Sequence, residues 1–114
     1  MNITLTERNG VTILSLRADR LDAHNSDMVK DELKLLYAGD AKKVLVDLGE
    51  VRFIDSSGLG ALVSGFKNAV SSRGRLALSG LQAQVVIMFE LTRLNRVFDI
   101  FPTVEEAISS LVDQ

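Results

Sequence analysis

Val44-Leu45-Val46-Asp47-Leu48, followed by Val51-Arg52-Phe53-Ile54-Asp55-Ser56-Ser57-Gly58-Leu59-Gly60, is the stretch on which the reading of this chain turns. The run 44–48 is apolar except at Asp47. Such a run suits a strand covered on both faces, as in a sheet flanked by helices, and the one acid marks the strand's end. Beyond Ser56 the period changes. Leu59, Leu62, Val63, Phe66 and Val70 share one helical stripe, which predicts a helix over 57–72 with Gly74 closing it and these five residues in the core.

Reading outward gives the rest of the architecture. Residues 2–8 and 11–17 alternate between apolar and polar and are split by Asn9-Gly10, a pair that tolerates positive φ, so an antiparallel hairpin is predicted. Val29, Leu33 and Leu36 predict a helix over 25–37, with Asn25 or Ser26 able to cap it and Gly39 to end it. Downstream come a strand at 75–79, a helix at 82–92 and a last strand at 96–101 stopped by Pro102. Thr103-Val104-Glu105-Glu106 has the Thr-x-x-Glu form of a capping box and opens a final helix through Ile108 and Leu111. The order β-β-α-β-α-β-α-β-α predicts an α/β fold: a mixed, mainly parallel sheet of about five strands with about four helices packed on it. No linker or internal repeat interrupts it, so residues 1–114 read as a single domain.

Composition narrows the function. Of 114 residues 46% are hydrophobic and 25% charged, with a formal charge of −2, one His and no Cys. A chain this long buries roughly 60–70% of its unfolded surface, enough for a core without staples. The absence of Cys excludes a disulfide framework and a thiolate metal site and agrees with a cytoplasmic setting. The lone His24 leaves no His cluster for a metal and reads as a surface residue. Nothing calls for a cofactor. The balanced charge argues against a nucleic-acid partner. No basic-then-apolar leader opens the chain and no long apolar run follows, so neither secretion nor a membrane partner is expected.

Chemistry concentrates at Asp55-Ser56-Ser57. One reading is an ordinary helix cap, since all three residue types can satisfy the free N–H groups of a helix start. Against it stands a second helical face on which Ala61, Ser64, Gly65 and Asn68 recur, continuing back to Ser57 and Gly58. Solvated helix faces usually carry Lys, Glu and Arg. This one is small and nearly uncharged, although a helix-interior Gly costs about 0.8–1 kcal/mol against Ala. Such a face predicts a docking surface with a hydroxyl at its rim.

These residues closely resemble the signature of STAS domains, and above all stand-alone bacterial anti-sigma-factor antagonists. The likeness runs from about residue 3 to 111 and includes Leu21-Asp22, the Asp55-Ser56-Ser57-Gly58-Leu59-Gly60 core, and Val85 through Phe98. The resemblance implies partner switching. The unphosphorylated protein binds a serine kinase of the histidine-kinase-like ATPase type that doubles as an anti-sigma factor, and so frees that factor's target. Phosphorylation at the serine after the Asp, here Ser56 with Ser57 as second choice, breaks the complex. A metal-dependent serine phosphatase resets it. Asp22, Asp55, Ser57, Gly58, Gly60, Ala61, Ser64, Gly65 and Asn68 are the expected partner-binding residues, with a pure capping role for Asp55 the alternative.

Two positions depart from the family pattern. Val86 and Ile87 make the helix at 85–89 apolar all round, which means either full burial or an exposed patch for a partner or for weak self-association. Arg93 stands where relatives often have Gly, at a cost of about 1 kcal/mol if the backbone there needs positive φ. An enzyme is disfavoured: there is no Gly-x-Ser-x-Gly elbow, and no Lys-Ser or Lys-Thr follows the glycines to make a phosphate-binding loop. The alternative function is a non-phosphorylated STAS subunit of a lipid or anion transport complex.

Overall fold

The computed structural model describes residues 2–113, so the two ends of the expected domain, residues 1 and 114, lie outside it. Strands β1 (Asn2–Arg8) and β2 (Val11–Arg17) form the predicted hairpin, and Asn9 and Gly10 both take positive φ at its turn. The chain continues through β3 (Arg20–Leu21), α1 (Ser26–Ala38), β4 (Lys43–Asp47), β5 (Phe53–Ile54), α2 (Ser56–Ser71), β6 (Arg75–Ser79), α3 (Ala83–Leu91), a 3-10 turn (Leu94–Arg96), β7 (Asp99–Phe101) and α4 (Val104–Val112). The main sheet has the order β1-β2-β4-β6-β7; only β1 is antiparallel to its neighbour. The expected mixed, mainly parallel five-stranded sheet with four helices is what the chain forms.

Strand alternation divides the core between the two faces. Leu14, Leu16, Val44, Val46, Leu76 and Leu78 point into the larger cluster with residues of α1, α2 and α3. Their neighbours Val11, Ile13, Leu45 and Ala77 point the other way, onto Ala107, Ile108 and Leu111 of α4. Val44, Leu45 and Val46 are all fully buried, as a strand with both faces covered requires. The sole tyrosine ties α1 to this sheet: the Tyr37 hydroxyl donates to the Arg75 carbonyl at 2.7 Å, and burial pushes its ionisation well above the usual range.

Several details differ from the sequence reading. Two short strands, β3 and β5, form a parallel pair apart from the main sheet. The last strand is 99–101 rather than 96–101, because the chain first makes the 3-10 turn. Asn25 precedes α1 but does not cap it with its side chain; the amide instead accepts the Asp22 N–H and donates to the Arg20 carbonyl. Val70 is 61% exposed rather than in the core, since Ala69 takes the inward position on the last turn of α2. Thr103 does cap α4, accepting the Glu106 N–H at 3.1 Å.

Arg93 has φ of +61°, in the left-handed region. Its side chain is exposed, so little burial offsets the steric cost of that conformation. Arg93→Gly is expected to stabilise the protein by about 0.5–1 kcal/mol, the relief of strain exceeding the added freedom of the unfolded chain. Urea unfolding monitored by circular dichroism checks it; a midpoint below wild type contradicts it.

Candidate functional site

The site is assembled where β3 and β5 deliver two loops to the start of α2. Backbone bonds run between these segments: Arg52 and Phe53 N–H donate to the Asp19 carbonyl, and Asp55 N–H donates to the Leu21 carbonyl. The Arg20 guanidinium lies 4.2 Å above the Phe53 ring, a cation–π contact that fastens the pair from outside. Asp55 then caps α2, its Oδ1 accepting the Gly58 N–H at 3.0 Å. Asp55 thus makes the capping bond that its residue type allows. Ser56, the first helical residue, is free of it and exposed, whereas Ser57 is half-buried.

Asp22 stands on the adjoining loop. Its carboxylate accepts the His24 N–H at 3.0 Å and the Arg20 Nε–H at 3.2 Å, with His24 Nδ1 3.4 Å away. The His24 backbone bond, helped by Arg20, holds this acid below its ordinary pKa, so it is charged at neutral pH. His24 itself is almost fully exposed, as its reading as a surface residue required. Among the described residues no group of three or more His, Cys, Asp or Glu is placed to hold a metal, and no helix is long and apolar enough to cross a membrane.

The small face of α2 needs correction. Gly58, Ala61 and Gly65 are buried, so they are not part of an open docking surface. A methyl at Gly58 would lie 2.5 Å from the Leu21 carbonyl oxygen, and one at Gly65 would collide with the Leu33 side chain of α1. These small residues let the protein's own β3 and α1 approach the helix closely. Ser64 and Asn68 are half-buried at the margin of this seam. The face that does look outward runs through Ser56, Gly60, Ser64 and Lys67, with half-buried Val63 and exposed Val70 beside it. Gly60 alone among the three glycines opens onto empty space: nothing lies within 4 Å of the position its Cβ would take.

Half-buried Val63 packs against the larger core cluster as predicted, whereas Lys67 and Val70 were missed as outward-facing residues. The only signal for them was helix phase, which is ambiguous when two stripes of one helix are both covered. Residues 85–89 are likewise split. Val85 and Phe89 are buried in the core, while Ile87 is 52% exposed. Val86 lines an apolar groove of about 470 Å³ with Leu81, Phe98 and Ile100.

A layered α/β module that presents an exposed hydroxyl on the first residue of a helix, directly after the acid that caps it, is the class these features define. Comparison places the chain in a family: the STAS domain description matches residues 2–107, and the chain belongs to the STAS domain family. The anti-sigma-B factor antagonist of Listeria monocytogenes is 31% identical over 100 residues, 88% of each chain. The solved anti-sigma-factor antagonist (STAS) domain protein from Planctomyces limnophilus has a TM-score of 0.87 at 26% identity, covering 96% of this chain and 97% of that one. The phosphorylated form of the Bacillus cell-fate determinant SpoIIAA shares the fold, with a TM-score of 0.73 at 20% identity over 96% of this chain and 98% of its own.

Two glycines of α2, Gly58 and Gly60, are expected to respond in opposite directions. Gly58→Ala should cost about 1–3 kcal/mol, because its methyl meets backbone that cannot swing aside. Gly60→Ala should gain about 0.5–1 kcal/mol, the usual advantage of Ala in an exposed helix interior. Denaturant unfolding of both variants checks this, and equal shifts in one direction would contradict the assignment of inward and outward faces.

Proposed function

We propose that this protein is a partner-switching antagonist of an anti-sigma factor, acting by docking and not by catalysis. In its unphosphorylated form it binds a serine kinase of the histidine-kinase-like ATPase type, which doubles as the anti-sigma factor, and thereby releases that factor's target. Phosphorylation of Ser56 breaks the complex, and a metal-dependent serine phosphatase restores it. The setting is the bacterial cytoplasm. The observation that carries this reading is the exposed Ser56 on the first turn of α2, at the rim of a face that stays low as far as Gly60. The Listeria relative, named as an anti-sigma-B factor antagonist, supports the class of partner.

The geometry also favours Ser56 over Ser57 as acceptor. A kinase must reach the hydroxyl, and the second serine is half-covered. In the free protein the first turn of α2 carries no acid of its own, so a phosphate there meets unshared N–H groups and the positive end of the helix. The fold therefore accommodates it. Beneath a partner the same group brings about −1.5 to −2 charges close to Asp55 and must be desolvated. Binding is lost while folding is kept. Asp22, Asp55, Gly60, Ser64 and Asn68 contribute to the docking rim, extended by Val63, Lys67 and Val70. Ile87 and Val86 supply the apolar area for weak self-association.

Intact mass of the protein recovered from native cells should show a fraction heavier by one phosphate, abolished by Ser56→Ala and retained by Ser57→Ala. In pull-downs from the same cells Ser56→Ala should hold the kinase and Ser56→Asp should release it, with unchanged circular dichroism. Equal capture of the kinase by phosphorylated and unmodified protein would overturn the mechanism. A protein that never carries phosphate and instead co-purifies with a transport ATPase would point to the transport-complex role.

A further inference from the structure

Strand β5 is only two residues long and ends two residues before Ser56. In a parallel pair alternate residues bond to alternate sides. Phe53 and Asp55 turn their N–H groups towards the 19–21 segment, so Ile54 turns its polar groups away. Among the described residues no strand lies on that side. The side chain of Gln84, from α3, stands there instead: its Oε1 accepts the Ile54 N–H at 2.9 Å and its Nε2 donates to the Ile54 carbonyl at 3.2 Å. A carboxamide carries donor and acceptor side by side as a peptide group does, so one side chain completes the ladder for one residue. Ile54 is fully buried, so losing either bond leaves a covered main-chain group short of a partner. Gln82 adds a second tie, its Nε2 donating to the Gly49 carbonyl at 2.7 Å.

We infer that Gln84 is the positioning residue of the modification site, holding Ile54, and through it Ser56, where a kinase can use the hydroxyl. The inference rests on Ser56 being the acceptor, as proposed above. Between the clamp and the hydroxyl lie one peptide unit and the Asp55 cap, so there is little slack to absorb a displacement. The first turn of α2 is thus registered from two directions: by the Leu21 carbonyl from β3 and by a side chain from α3.

Two variants test this in the full chain. Gln84→Met keeps the length and removes both bonds; Gln84→Glu keeps the acceptor and, when ionised, turns the donor into a charge facing the Ile54 carbonyl. Hydrogen exchange at the Ile54 amide should quicken by about tenfold in Gln84→Met, the factor for one net hydrogen bond, and less in Gln84→Glu. The Ser56 and Ser57 amide resonances should move in both, while Val46 and Leu78 in the central strands keep wild-type protection. Phosphate occupancy at Ser56 in native cells, read by intact mass, should fall in the same order. If Gln84→Met does not fold, Gln84→Glu alone must show the shifted resonances and reduced occupancy. Unchanged exchange at Ile54 in Gln84→Met overturns the inference, and so does a loosened Ile54 with full phosphorylation of Ser56. A wild-type protein carrying no phosphate fails the acceptor reading itself, a result visible without either variant.

Discussion

The Leu21 carbonyl oxygen sits against the first turn of α2 closely enough that a side chain at position 58 would collide with it, and it also receives the Asp55 N–H. This approach of backbone to backbone fixes the height and angle at which α2 leaves β5. Everything of functional interest follows from it. Asp55 can reach the Gly58 N–H, Ser56 is lifted into solvent, and the loop carrying Asp22 is brought alongside. A side chain at 58 would wedge the two segments apart and dissolve that arrangement even if the main sheet stayed whole. The site is thus defined by what the sequence leaves out at one position as much as by the hydroxyls and acids it supplies.

The charges around the site reinforce the same geometry. Arg20 serves two neighbours at once, its Nε–H donating to Asp22 and its plane covering Phe53. Asp22 and Asp55 are both engaged locally, the one by the His24 N–H and the other by the Gly58 N–H. Neither acid is a loose surface charge: Asp55 is held next to Ser56 by its cap, and Asp22 is held on the adjoining loop by His24 and Arg20. Negative charge added at Ser56, as proposed above, would meet Asp55 at a fixed position, whereas a mobile carboxylate would swing away and dilute the repulsion.

Much of this was legible in the chain. Val44-Leu45-Val46 read correctly as a strand buried on both sides, Asn9-Gly10 as a tight turn, Thr103 as a cap, and Arg93 as a residue where positive φ would be strained. The Asp-Ser-Ser-Gly core marked the start of α2, where Asp55 caps the helix and Ser56 opens it. What misled was the string Gly58, Ala61, Gly65. Small residues signal that something comes close without telling whether it is the chain's own helix or another molecule; here Leu33 of α1 is the answer for Gly65. Val70 was drawn into the core stripe by its apolarity, although Ala69 fills that place. Gln84 left no trace because its partner, Ile54, lies thirty residues away and offers only main-chain atoms.

The α4 helix rests on the opposite side of the sheet with its own small cluster, formed by Ala107, Ile108 and Leu111 against Val11, Ile13, Leu45 and Ala77. The whole thickness of the sheet separates it from Ser56. Its outer side, at Glu105 and Ser109, is therefore an insulated handle. A dye, an affinity tag or a surface linker anchored there can report on or immobilise the molecule while the end carrying Ser56 stays unobstructed.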